Sequence, residues 1–288
     1  MLRLYGTRSK NAPLDVFTRV DGIYDESTSK KDDWFEFLKL ESSRVGTMTV
    51  AGDTPKHIAN WVEHLEQSTF TSLAKLAFRN LEKAEAEIRC PIWASFPCLQ
   101  DLWIEGCWCR GWVGPRDPFP PTLRSLKLTN ISDVYYDDLI EALGGVLGLV
   151  SLAIEDFALD TDVSVPPNAN RVTLDFLEEL ELTNVAVADI RAISLLVATP
   201  SLSSLSITSP SPSDGDHSFL TTFTAQHPQL SSLGIIGLKL ESQELEMILH
   251  KLPNLNHLHI RSSDLAGDHV TFLEGETTPF PQLSLIVS

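Results

Sequence analysis

Four cysteines, Cys90, Cys98, Cys107 and Cys109, fall within one short stretch of the chain, and sulfur donors crowded in this way raise zinc coordination as the first chemistry to weigh. Their spacing is C-x7-C-x8-C-x-C. Structural zinc sites favour knuckles with about two to four intervening residues, because two sulfurs must reach one tetrahedral ion. Only the last pair comes near that spacing, so free thiols in a reducing compartment are the expectation, and neither a metal nor a cofactor is expected. His257 and His259 alternate along one predicted strand and so project to the same side, beside Arg261. Without a third ligand in the pattern they read as solvated imidazoles. Nucleophilic, zinc-protease and phosphate-cradling motifs were sought as G-x-S-x-G, H-E-x-x-H, G-x4-G-K-S/T and G-x-G-x-x-G, and none occurs. Acid pairs such as Asp137/Asp138 and Glu178/Glu179 follow from an excess of carboxylates, and the chain is expected not to be an enzyme.

That excess is large: 39 Asp and Glu stand against 22 Lys and Arg, a net charge of −17. Residues 1–44 carry eight of each sign, so the whole imbalance lies beyond them. An acidic body repels nucleic-acid phosphate and anionic lipid, which excludes both as expected partners, and it favours a basic protein or peptide. A well-solvated surface explains the same charge. Met1 to Lys10 is too polar and basic for a signal peptide, and Leu139 to Ile154, broken by Glu141 and Ser151, falls short of the roughly 18–20 apolar residues a span requires. A cytoplasmic or nuclear location is expected.

Elements that would position these residues are set by a repeated phrase, L-x-x-L-x-I/L. It reads Leu73/Leu76/Phe78, Leu99/Leu102/Ile104, Leu123/Leu126/Leu128, Leu149/Leu152/Ile154, Leu177/Leu180/Leu182, Leu202/Leu205/Ile207, Leu230/Leu233/Ile235 and Leu255/Leu258/Ile260, with first leucines 24 to 28 residues apart. A weaker copy, Val45/Met48/Val50, precedes these and an incomplete one, Leu283/Ile286, follows. Such spacing is the signature of leucine-rich repeats, each one strand plus a returning segment. A single unit buries too little apolar surface to offset the entropy of ordering it, so units must stack. The predicted fold is therefore α/β: a leucine-rich-repeat solenoid of about nine to ten repeats, a ribonuclease-inhibitor-like horseshoe with a parallel sheet on its concave face and helices and irregular loops on its convex face. Residues 1–44 are expected as a capping or linker region and 45–288 as the repeat domain.

Strand alternation then assigns the concave face, since residues between anchoring aliphatics point away from them. The functional candidates on it are Lys75 and Arg79; Asp101, Trp103 and Glu105; Lys127; Glu155; Glu179 and Glu181; and His257, His259 and Arg261. Small residues fill the remaining positions, among them Thr47, Thr49, Ala51, Ala77, Ser125 and Thr129. A protein or peptide ligand on this face is the expected partner.

Helices are predicted after Pro55, over Val134 to Leu147 opened by Asp133, and over Ala186 to Val197, His217 to Ala225 and Ser242 to Leu252. Ser209 to Ser213 and Val165 to Asn168 read as irregular loops. Trp103 to Pro121, with Trp108 and Trp112 and no helical period, is either a contact loop or a cover over the core. Cys107, three positions after Ile104, takes the place where the repeat calls for Asn or Cys.

The stretch Arg8-Ser9-Lys10-Asn11-Ala12-Pro13-Leu14, followed by repeats introduced by Phe96-Pro97-Cys98-Leu99, Thr199-Pro200-Ser201-Leu202, His227-Pro228-Gln229-Leu230, Leu252-Pro253-Asn254-Leu255 and Phe280-Pro281-Gln282-Leu283, resembles the region after the F-box in fungal, mushroom-type F-box-like leucine-rich-repeat proteins. That resemblance implies a substrate-binding region of an adaptor for a cullin-type ubiquitin ligase. The family's F-box opens with an L-P-x-E/D phrase, and none precedes Arg8, so docking to the ligase is expected only if an F-box is encoded upstream. A fragment, a truncated gene model or a paralogue lacking its F-box are the corresponding expectations. The alternative is a stand-alone acidic repeat module that sequesters a basic protein.

Overall fold

The computed structural model describes residues 12–20, 29–65, 67–81, 87–89, 93–110, 119–160, 171–213, 218–261 and 284–287. They form an α/β fold of two compact units, Met1–Leu149 with Leu159–Val163, and Val150–Ala158 with Ser164–Ser288. In chain order the first unit contains β1 (Leu14–Val20), α1 (Ser29–Glu41), β2 (Val45–Gly52), α2 (Pro55–Leu65), β3 (Lys75–Asn80), β4 (Glu87–Arg89), β5 (Asp101–Glu105), β6 (Trp108–Arg110), β7 (Ser125–Val134) and α3 (Tyr136–Gly144). Its sheet runs β1-β2-β3-β5-β7, with β4 and β6 paired separately. The second unit contains β8 (Ser151–Leu159), β9 (Val172–Thr173), β10 (Glu179–Thr183), α4 (Val187–Leu196), β11 (Val197–Ala198), β12 (Ser204–Ser213), α5 (Ser218–Gln226), β13 (Ser232–Leu238), α6 (Ser242–His250), β14 (His257–Arg261) and β15 (Ser284–Val287). Its sheet runs β8-β10-β12-β13-β14-β15, with β9 and β11 paired beside it.

Register within each sheet follows the repeated phrase. In the first unit Met48, Leu76, Leu102 and Leu126 pair in one row and Val50, Phe78, Ile104 and Leu128 in another, all parallel. In the second, Leu152, Leu180, Leu205, Leu233 and Leu258 align, as do Ile154, Leu182, Ile207, Ile235 and Ile260. Every one of these side chains is buried. A one-residue slip anywhere would turn a whole set of aliphatics toward water, so burial locks the register.

Two backbone devices bring each chain segment back into register. Before each strand, the amide of the phrase's first leucine closes a turn onto a carbonyl three residues earlier: Leu99 to Phe96, Leu123 to Pro120, Leu202 to Thr199, Leu230 to His227 and Leu255 to Leu252, at 3.0–3.2 Å. Proline occupies the second position of each of these turns, where its fixed φ fits a type I or II bend. The proline phrases are thus turn chemistry, and Val146–Leu149 and Leu174–Leu177 close the same bond without proline.

After the strand, seven residues beyond the first leucine, the backbone turns left-handed at Gly106, Asn130, Asp156, Asn184 and Gly237, with φ between 48° and 76°. Only Gly, Asn and Asp visit this region at low cost. The next side chain in each case, Cys107, Ile131, Phe157, Val185 and Leu238, then drops into the core. Cys107 thereby fills the bend as the repeat pattern anticipates.

Several expectations are corrected. β1, inside the segment read as cap or linker, pairs along its length with β2, because Leu14, Val16, Thr18 and Val20 alternate like the strands that follow. Helix α1 went unanticipated; its Phe35 packs on Trp61 of α2 at 4.7 Å between ring centroids. Helix α3 is shorter than Val134 to Leu147, since Val134 stays in β7 and Leu147 and Gly148 belong to the turn closed at Leu149. Ser209 to Ser213, expected as an irregular loop, continues β12, with a register shift before Ser213 pairs with Leu238. The final copy is not anchored by Leu283 and Ile286: Leu285 pairs with Leu258 and Val287 with Ile260. The run Leu285-Ile286-Val287 is apolar at every position and does not itself specify a face. Thr129, Ala51 and Ala77 are buried rather than open to solvent. Val165 to Asn168 and Trp112 lie outside the described residues.

Buried in the second unit, His227 joins two successive turns. Its Nδ1 lies 2.7 Å from the Phe223 carbonyl oxygen and its Nε2 lies 2.9 Å from Thr199 Oγ1. The carbonyl can only accept, so Nδ1 donates, and in the neutral ring Nε2 accepts from the Thr199 hydroxyl.

A Cβ at Gly106 or Gly237 would lie 2.6 Å from the carbonyl oxygen of Asn80 or Ser209. Gly237→Ala is therefore expected to lower stability by more than the roughly 1–2 kcal/mol of left-handed backbone alone, read as a fall in the urea midpoint; an unchanged midpoint would contradict the turn assignment. Leu152→Ala, deleting a buried anchor, is expected to cost about 2–5 kcal/mol in the same measurement.

Candidate functional site

Adjacent strands β3, β5 and β7 of the first unit place Lys75, Arg79, Asp101, Trp103, Glu105 and Lys127 on the solvent face of one sheet. Pairing sets Lys75 beside Asp101, Arg79 beside Glu105, and Ala77, Trp103 and Lys127 in a single row. Six of the twelve sequence candidates are thus assembled around one indole.

Trp103 is half-buried and held from several directions. Its indole N–H donates to Thr129 Oγ1 at 3.2 Å, which accounts for the burial of that threonine. The Arg79 guanidinium lies 4.7 Å and the Lys127 ammonium 5.4 Å from the ring centroid, within cation–π range. Arg79 in turn donates to Glu105 at 2.6 Å, a pair in which the carboxylate side chain retains only 15% of its exposure. Lys75 and Asp101 meet at 3.0 Å in a more solvated pair. The ring, two cations and a buried hydroxyl form one mutually braced unit with its outer surface open.

Beside the indole lies an open groove of about 410 Å³, floored by Ala77 and bordered by Thr47, Thr49, Lys75 and Ser125. Small side chains leave this space because β2 offers only threonines at the two positions level with Lys75 and Ala77. The groove is hydroxylated and cationic on its walls and aromatic at one side. Such a surface can seat a side chain by contact and hydrogen bonding.

The remaining candidates lie in the second unit. Glu155 on β8 is level with Thr183 of β10, and Glu179 and Glu181 of β10 stand beside Ser151 and Ala153. Glu181 accepts from the Thr183 hydroxyl at 3.1 Å. His257, His259 and Arg261 share β14, with His259 level with Gly234. They are separated from the glutamates by β12 and β13, whose facing positions are Ser204, Ser206, Ser232 and Gly234, so the sheet does not bring the two groups together.

Cys98 is exposed and Cys107 buried, both as free thiols. The side chains of Cys90 and Cys109 are outside the described residues. Among the described residues no three His, Cys, Asp or Glu side chains gather as a metal site. Trp108 is buried, so it covers the core, while its neighbour strand β4 pairs with β6 to close that side. Sequence reading missed Phe17, an aromatic 62% exposed on β1 and level with Thr49. Its signal was the alternation of Leu14, Val16, Thr18 and Val20, which places Phe17 on the outer face.

No family model matches the sequence, and no curated protein matches it. Among solved structures, the crystal structure of InlP from Listeria monocytogenes is similar over 86% of this chain and 62% of that one, at 12% identity and a TM-score of 0.40. This chain thus spans less than two thirds of the length of that protein, and a likeness at this level carries no argument about function. No described helix is long and apolar enough to cross a membrane.

Partial burial places the Arg79–Glu105 pair toward the upper end of the roughly 0.2–1 kcal/mol measured for surface pairs. A double-mutant cycle with Arg79→Ala and Glu105→Ala is expected to show coupling near that upper value, and the same cycle on Lys75 and Asp101 a smaller one. Equal coupling in the two cycles would remove the distinction drawn between them.

Proposed function

We propose that this chain is a non-enzymatic protein-recognition scaffold: a leucine-rich-repeat solenoid whose concave strand face holds a protein or peptide partner. Trp103 carries the reading. A large amphipathic ring, fixed by its N–H bond and flanking cations yet open outward beside a groove, is the kind of rigid anchor on which binding energy concentrates. In-register strands, proline-bearing entry turns and left-handed exits at a constant offset support the repeat reading. Ion pairing of Arg79 with Glu105 and of Lys75 with Asp101 fits a recognition surface rather than an acid–base site.

The particular form we propose is the substrate-binding region of a fungal F-box-like adaptor, on the sequence resemblance described above, with ligase docking dependent on an upstream F-box. A stand-alone module that sequesters a basic partner is the second reading. It is favoured by the net charge of −17 and by Glu155, Glu179 and Glu181 on neighbouring strands. The same charge disfavours nucleic acid and anionic membrane as partners, and a cytoplasmic or nuclear location accompanies either form.

Affinity capture with this chain, and with a version extended by any upstream coding sequence, separates the two. The adaptor form expects the cullin ligase core with the extended version alone. Recovery of one basic protein by both versions, without the ligase core, supports sequestration. In either case Trp103→Ala is expected to weaken capture while leaving thermal unfolding nearly unchanged, and undiminished capture would place the interface elsewhere.

A further inference from the structure

The central row of the first unit's solvent face reads Phe17, Thr49, Ala77, Trp103 and Lys127 across five strands. Two aromatics therefore stand three strand steps apart, roughly 14 Å at about 4.8 Å per step, with only Thr49 and Ala77 between them. The groove beside Trp103 occupies part of this interval. Phe17 is 62% exposed, an unusual cost for an aromatic on a sheet unless something covers it. The result is a trough with an aromatic wall at each end and a small-residue floor. Its width suits an extended chain laid across the strands with one apolar side chain seated between the rings.

Charge selects what flanks that side chain. The face of β1, β2, β3, β5 and β7 carries Arg19, Lys75, Arg79 and Lys127 against Asp15, Asp101 and Glu105, one positive charge in excess within a chain of −17. Arg79 and Lys127 already lie over the Trp103 ring, so the indole surface that would attract a partner's cation is occupied by the protein's own. Hydroxyls of Thr47, Thr49 and Ser125 border the groove and can donate to carboxylate oxygens. A basic segment meets repulsion here and an acidic one meets ammonium, guanidinium and hydroxyl donors.

We propose that this trough binds an extended acidic peptide segment, with one apolar side chain between Phe17 and Trp103 and flanking carboxylates directed to Lys75 and Lys127. The inference rests on the reading of the sheet face as a recognition surface and names its partner class for the first unit, opposite in sign to the basic partner that the overall charge favours.

The test uses the full chain and three fluorescein-labelled peptide pools, each with a central Leu or Phe flanked by Asp and Glu, by Ser, or by Lys, titrated by fluorescence anisotropy. The acidic pool is expected to bind about tenfold or more tighter than the serine pool, a difference of roughly 1.4 kcal/mol, and to weaken as salt is raised. Phe17→Ala and Trp103→Ala are each expected to reduce that binding, and Lys127→Glu to shift preference toward the lysine pool; circular dichroism melting verifies that each variant folds. Tighter binding of the lysine pool, or acidic-pool binding unaffected by both aromatic variants, overturns the proposal. If no pool binds while Trp103→Ala still releases a captured protein, the acidic-peptide inference falls and the scaffold reading stands. If no pool binds and capture is indifferent to Trp103→Ala, both fall.

Discussion

Each strand in these sheets must find its neighbour in parallel, and parallel pairing cannot be made by a hairpin. The chain has to leave one end of a strand, travel back and re-enter beside its previous pass with the same face inward. Everything else serves that return. Turns closed onto the first leucine aim the chain into the strand, and left-handed Gly, Asn or Asp residues release it so that the following side chain falls into the core. Where these two devices hold, the connection between them is free to be a helix such as α4, a short strand such as β6, or an irregular crossing.

That division of labour explains where recognition chemistry sits. The inward face is committed to aliphatic rows and tolerates little change, whereas the outward face makes no contribution to register and can carry Trp103, Arg79 and Lys127 at will. Because these side chains are mounted on hydrogen-bonded strands, their spacing is set by the ladder rather than by loops. The indole is further held by Thr129 and by its flanking cations, so little conformational freedom remains to be lost on contact with a partner.

Much of the fold was legible because the repeated phrase states which residues are buried, and Leu102, Leu126, Leu180 and Leu205 are where the pattern places them. The outward positions followed by alternation, which is why Lys75, Asp101, Trp103 and Lys127 were found together without knowledge of the ladder. What failed was local. β1 lacks the opening leucine of the phrase, so its alternation went unread and Phe17 with it. Strand ends at Val134 and Ser213 were misjudged because a left-handed residue or a register shift carries no hydrophobic signature. The last strand slipped by one because Leu285, Ile286 and Val287 present no polar residue to mark the outer face. Thr129 was assigned to solvent, since an indole reaching over from the neighbouring strand is invisible to periodicity.

The buried contact between His227 and Thr199 gives one part of the second unit an individual character. Elsewhere a turn residue such as Leu252 or Val146 is apolar and any similar residue would fill its place, so adjoining segments are close to exchangeable. Here an imidazole in one turn is satisfied only by a hydroxyl in the turn before it. Duplication, deletion or shuffling of a repeat at this point would strand a polar group in the core. The pair therefore works as a key that fixes which repeat follows which, and it marks a boundary that recombination between repeats could not cross without a loss of stability.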